Sequence, residues 1–264
     1  MLLLIAHNHD AEARWLYHTL NQGARLPVAY LVPEALGIDY KITLRLNNCG
    51  PHTASVWFDK PERRLESSGF TYVINRLSYV DPIAWHKAEP SELTYATAEL
   101  NAFFPALVAS LPCKVSNRIH HGSLYGDACF VARWAARMKG RGVPVDLCVL
   151  DCTGKSHEKI SAATPGGLSR FMYDGDRIFT PHGQPVAPHE AEIRDCLKNS
   201  GEDETLEAVF LNESGRTSLI HLSKTPSLSC YGSNYIGSLI SPIKTNFYDP
   251  TNGHSQRTTL APAY

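Results

Sequence analysis

A chain of 264 residues can bury a sizeable core and holds one large domain or two small ones. Its 25 basic and 26 acidic side chains nearly balance and form no basic block, which disfavours nucleic acid as a partner. No apolar run reaches membrane-spanning length, and seven scattered cysteines argue for reduced thiols in a cytoplasmic protein rather than a disulfide framework.

The opening MLLLI lacks a basic leader and is too short for a signal-peptide core, so residues 1–6 read as a first strand. Residues 11–22 follow with Ala13, Leu16, Tyr17 and Leu20 at helical spacing and Gly23 as a stop. Residues 28–32 form a second apolar strand ended by Pro33. That β-α-β opening predicts a parallel sheet covered by helices. Two further strands are expected at 41–46 and 54–58, and another at 70–77. A long amphipathic helix is expected over 90–111, with Ser91 as its cap and Pro112 beyond its end. A short strand at 114–117, a helix at 127–139 closed by Gly140 and a buried strand at 145–150 complete this half.

After Asp151 the character changes. TGKSHEKISAATPGG is polar and aperiodic, and reads as a loop. LSRFMYDGDRIFTP is a hairpin signal with Asp174-Gly175 at its turn, and residues 188–199 form a short helix. TLEAVFL and RTSLIHL have the β-branched and aliphatic content of a buried hairpin joined at Asn212-Glu213-Ser214-Gly215. A turn at Pro226 leads into a Gly/Ser-rich segment, and from Lys244 onward the sequence reads as an extended tail. The expected units are 1–150, 151–243 and a tail over 244–264.

Several constellations carry possible chemistry. Gly154-Lys155-Ser156 fails as a phosphate loop, because Val149 stands where the first glycine is needed. His7-Asn8-His9-Asp10 directly follows the first strand, and imidazoles at i and i+2 are weak candidates for a shared metal, as in a metal-dependent hydrolase. The competing reading is a loop of solvated histidines in which Asp10 caps the next helix. Cys113 or Cys129 with His120 or His121 could form a nucleophilic pair, against the commoner state of buried, inert thiols. In an open α/β sheet ligands gather beyond the carboxyl ends of strands, which marks Asn75, Arg76, Asn117, Arg118, His120 and His121 as binding candidates. Their competing role is to fix strand-to-loop turns and bridge to a neighbouring unit.

The segment TLEAVFLNESGRTSLIHLSKTPSLSCY resembles the terminal hairpin of RimK-like ATP-grasp ligases. FTYVINRLSYV and LPCKVSNR, with Asn75-Arg76 and Asn117-Arg118, resemble the pre-ATP-grasp domain of the microviridin-maturing members. FMYDGDRIFTP is similar to that fold's late Gly-Asp hairpin. The resemblance implies an α/β fold: a pre-ATP-grasp-like, mostly parallel sheet, then a reduced α+β remnant of the ATP-grasp domain. It also places Phe210, Ser223 and Thr225 where the family's Mg²⁺ ligands stand, and Mg²⁺ demands carboxylate oxygens. One grasping wall, with its phosphate-holding lysines, is expected to be missing between Asp151 and the Gly-Asp hairpin.

The resemblance therefore implies a degenerate, non-catalytic partner of a peptide or amino-acid ligase system. No cofactor is expected, Mg-ATP included. The expected partner is a protein or peptide, an active ATP-grasp ligase among the candidates, with homo-oligomers compatible and no nucleic acid or membrane. The alternatives are an ATP-dependent carboxylate–amine ligase completed by a second subunit, and a metal hydrolase using His7 and His9.

Overall fold

Strand β1 (Leu2–Ile5) is buried on both faces, as a central parallel strand must be. Leu2 and Leu4 join one hydrophobic cluster, Leu3 and Ile5 another. In this computed structural model the described residues are 1–24, 26–46, 54–60, 63–80, 82–117, 119, 124, 130–146, 167–174, 177–181, 189–198, 205–213 and 215–247.

Parallel partners flank β1: β2 (Val28–Leu31) on one side, and β6 (Tyr72–Asn75) followed by β7 (Lys114–Ser116) on the other. The strand order is therefore β2-β1-β6-β7, with the switch in direction of travel at β1. Helix α1 (Ala11–His18) covers the Leu2/Leu4 face with Ala13 and Leu16, and a single π-turn continues it to Gly23. Helix α2 (Pro90–Ala109) covers the Leu3/Ile5 face with Phe104, Leu107 and Val108. Its N-cap is Glu89 with Pro90 opening the first turn, so the expected cap at Ser91 lies inside the helix. Proline suits that first position, since its missing N–H would be unpaired there anyway.

Between β2 and β6 an antiparallel meander intervenes: β3 (Lys41–Leu46), β4 (Ala54–Lys60) and β5 (Arg63–Glu66). A second sheet is built from β8 (Leu168–Asp174), β9 (Ile178–Phe179), β10 (Thr205–Glu213) and β11 (Arg216–Ser223), in the order β11-β10-β8-β9 and antiparallel throughout. Gly215, at φ +77°, occupies a left-handed position of the β10–β11 turn that a side chain would strain. The strand expected at 145–150 meets β11 through Val145, which bridges Leu219; residues 147–150 lie outside the described set.

Helices α3 (Phe130–Gly140) and α4 (Glu190–Lys198) bury Trp134, Met138 and Ile193 against one face of this second sheet. Its other face meets the first sheet's cluster through Met172 and Phe179. Helix α5 (Gly232–Phe247) fills that seam with Tyr235, Ile236, Leu239 and Ile240, running past the expected tail boundary at 244. Among the described residues no helix is long and apolar enough to cross a membrane. The described residues thus form a mixed α/β protein in which a parallel and an antiparallel sheet share a core, with the antiparallel meander β3-β4-β5 as a third sheet.

Candidate functional site

The carboxyl ends of β1, β6 and β7 face the segment that leaves β11. Asn75 ends β6 and is fully buried; Arg76 continues the ladder by donating its amide to Ile5 O at 2.9 Å. The Arg76 guanidinium then reaches in two directions. Nε and Nη2 donate to Asp10 Oδ2 and Oδ1 at 2.7 and 3.3 Å, and Nη1 donates to Pro226 O at 3.0 Å. Asp10 is also the N-cap of α1, accepting from the Ala13 amide at 3.0 Å. Burial pushes the Asp10 carboxyl upward, but Arg76 and the Ala13 and Glu12 amides outweigh it and hold the group below the usual carboxylate value.

The two asparagines close a reciprocal pair. Asn75 Nδ2 donates to Asn117 O (3.1 Å) and Leu124 O (2.8 Å), while its Oδ1 accepts from the Leu77 amide (3.2 Å). Asn117 Nδ2 donates to Asn75 O (3.1 Å) and Lys224 O (2.8 Å). Asn117 sits at φ +53°, a left-handed conformation that asparagine tolerates far better than most residues. The expected binding candidates Asn75, Arg76 and Asn117 therefore converge. Their donors engage protein carbonyls and the Asp10 carboxylate, and so join the parallel sheet to the 224–226 segment. Arg118, His120 and His121 lie outside the described residues.

Ser223 and Thr225, two of the three positions where the resemblance expects metal ligands, lie at this same segment, and Phe210 lies on β10. Ser223 Oγ lies 3.1 Å from Thr225 Oγ1 and accepts the Thr225 amide at 3.0 Å, so the two hydroxyls satisfy one another. Phe210 is fully buried, stacked on Phe171 with ring centroids 5.7 Å apart, in the cluster covered by α3 and α4. A buried carboxylate does stand on β10, with no sequence motif to mark it: Glu207 pairs across the ladder with Ser223. It is 3% exposed and already coordinated by protein donors. Its Oε2 accepts from the Ser227 amide (3.1 Å), and its Oε1 accepts from the Tyr231 hydroxyl (2.9 Å), with Arg170 Nη1 at 3.9 Å. Burial raises its carboxyl above the ordinary value in spite of the Tyr231, Ser227 and Arg170 contacts. Mg²⁺ is usually held through one or two carboxylates with water and phosphate oxygens, and here both Glu207 oxygens are taken by protein donors.

Around His7 a different set gathers. His7 Nδ1 lies 2.6 Å from Glu34 Oε1, its ring stacks with those of His9 (centroids 5.1 Å apart) and Tyr79 (4.1 Å), and Tyr30 Oη donates to His7 O at 3.0 Å. Glu34 was not singled out by sequence, since it belongs to a separate turn (Pro33–Ala35) after β2. Cys113 is half-buried, and burial pushes its thiol up, against the thiolate a nucleophile needs. Cys129, Lys155 and the Gly154-Lys155-Ser156 loop fall outside the described residues.

Neither a family profile nor a curated protein matches this sequence. Its shape does match solved structures. The macrocyclase MdnC of Microcystis aeruginosa, bound with the precursor peptide MdnA, superposes with a TM-score of 0.66 at 12% identity, covering 93% of this chain and 99% of that one. A Chryseobacterium gregarium RiPP-associated ATP-grasp ligase, in complex with ADP and a leader and core peptide, gives 0.64 at 9% identity over 93% and 96%. The ATP-grasp ligase PsnB complexed with minimal precursor gives 0.51 at 12% identity over 89% and 92%. At such identities the likeness establishes the fold: this chain has the mixed α/β fold of ATP-grasp ligases.

Proposed function

We propose that this chain is a non-catalytic, peptide-binding partner in a peptide-modification system, built on a ligase fold whose ATP-dependent chemistry has been lost. The observation that carries this reading is the state of the terminal hairpin. Its metal positions hold a core phenylalanine and two mutually bonded hydroxyls, and its nearest carboxylate, Glu207, is spent on Ser227 and Tyr231. Phosphoryl transfer is positioning plus charge neutralisation by metal and cations. Without ligands for the metal, the acyl-phosphate route has no foothold, and we assign the chain no nucleotide cofactor.

In this reading the fold is a reduced, RimK-like one. Residues 1–150 would be the pre-ATP-grasp unit and 151–243 a shortened grasp domain, whose last helix, α5, runs on to Phe247. The solved ligases of this shape that hold precursor or leader peptides support a peptide as the partner here. The free thiols of Cys113, Cys196 and Cys230 suit the cytoplasm we assign to it. Fluorescence anisotropy of a labelled precursor peptide encoded beside the gene tests the reading. Saturable binding that is indifferent to added Mg-ATP is expected; absence of peptide binding, or binding that depends on nucleotide, would contradict it.

One observation favours a second reading: the likeness to a macrocyclase and to an ADP-bound ATP-grasp ligase runs along nearly the whole of both chains. There the protein is an ATP-dependent carboxylate–amine ligase completed by a second subunit. It requires release of ADP and phosphate when the chain is mixed with that subunit, an acid and an amine.

A further inference from the structure

We propose that His7, His9 and Glu34 form a binding site for a divalent transition metal of the zinc class, separate from the phosphate chemistry of the fold. The site arises from strand pairing. Parallel pairing of β1 with β2, Ile5 opposite Leu31, brings the loop after one strand beside the turn after the other. His7 and His9 come from the first, Glu34 from the second. One ligating atom from each of the three lies within 4.8 Å of the others.

A second observation points to a ligand. His7 is 4% exposed, and its Nε2 has no hydrogen-bond partner among the described residues; the same holds for Glu34 Oε2. Buried polar atoms without partners are uncommon in folded proteins, and here one stands on each of two residues able to ligate a metal. Tyr79 stacked on one side of the His7 ring and the Tyr30 hydroxyl on the His7 carbonyl hold the imidazole in place. His9 lies exposed at the surface, which gives an ion a route in.

The donor set selects the metal. Two imidazoles and one carboxylate suit zinc and its neighbours, whereas Mg²⁺ and Ca²⁺ prefer all-oxygen sets. Three protein ligands leave a fourth position for water or for a carboxylate brought by a partner.

Calorimetric titration of the chelator-stripped full chain with zinc chloride tests the site. One equivalent should bind, and the melting temperature should climb with zinc concentration. His9→Ala, a surface change that leaves the core intact, should weaken binding by at least about tenfold, the lower end of what even outer-shell changes cost a metal site. Glu34→Gln should weaken it further. Absence of saturable zinc binding, or equal affinity in wild type and His9→Ala, would overturn the proposal. Neither result depends on whether the chain binds nucleotide.

Discussion

Replacing Arg76 by methionine tests the joint between the two sheets. Methionine fills similar volume but removes every donor, leaving the Asp10 carboxylate without its cation and the Pro226 carbonyl without its N–H. Breaking a buried ion pair from one side costs about 3–5 kcal/mol. The Asp10 side chain keeps 16% exposure and its bond to the Ala13 amide, so water and the helix end share the charge. The loss should therefore sit near the lower end, about 3 kcal/mol, a large part of the roughly 5–15 kcal/mol that holds a domain folded. Guanidinium unfolding at neutral pH, followed by circular dichroism, reads it directly. Adding Asp10→Asn should return part of the loss, with a coupling of at least about 1 kcal/mol. The sign with pH follows from the depressed Asp10 carboxyl. Its contribution is complete above the unfolded-state value and fades as pH falls through the native one, so wild type and Asp10→Asn should converge in acid. An Arg76→Met loss under about 1 kcal/mol, or strict additivity with Asp10→Asn, would refute the joint.

Glu207 behaves oppositely with pH. Its raised native value means the folded state holds the proton longer, so stability falls as pH rises through the window from the unfolded to the native value. Melting curves between about pH 4 and pH 7 should show that fall flattened in Glu207→Gln, while Glu207→Ala orphans the Ser227 amide and Tyr231 hydroxyl at about 1–3 kcal/mol each. Phe210→Ala should cost about 3–5 kcal/mol in chemical unfolding, as a core ring does, rather than leave stability unchanged as a vacant surface position would. Asn117→Ala should destabilise more than Asn117→Gly by roughly 1–2 kcal/mol, since both lose the bonds to Asn75 O and Lys224 O but only alanine resists φ +53°.

Local pattern carried much of the architecture. MLLLI and residues 28–32 announce the parallel pair, because both faces of those strands are apolar. TLEAVFL and RTSLIHL announce the hairpin by β-branched content and a glycine turn. Helix α5 escaped because Gly232, Ser233, Gly237 and Ser238 mask the spacing of Tyr235, Ile236, Leu239 and Ile240, which only the seam between the sheets makes decisive. The convergence of Asn75, Arg76 and Asn117 was foreseeable from their places at strand ends. Their partners were not: Arg76 meets Pro226 and Asn117 meets Lys224 across more than a hundred residues, a relation no local window contains. Glu34 and Glu207 were missed for the same reason. Each looks like an ordinary acidic residue until strand register sets it beside His7 or Ser223.

The central claim is that the fold of the ATP-grasp ligases persists here without its metal-nucleotide site, and calorimetric titration of the purified chain with Mg-ATP tests it most directly. Heats indistinguishable from dilution are expected, with the melting temperature unmoved by nucleotide, since a ligand that binds only the folded state must raise it. Saturable binding at micromolar Mg-ATP would contradict the account.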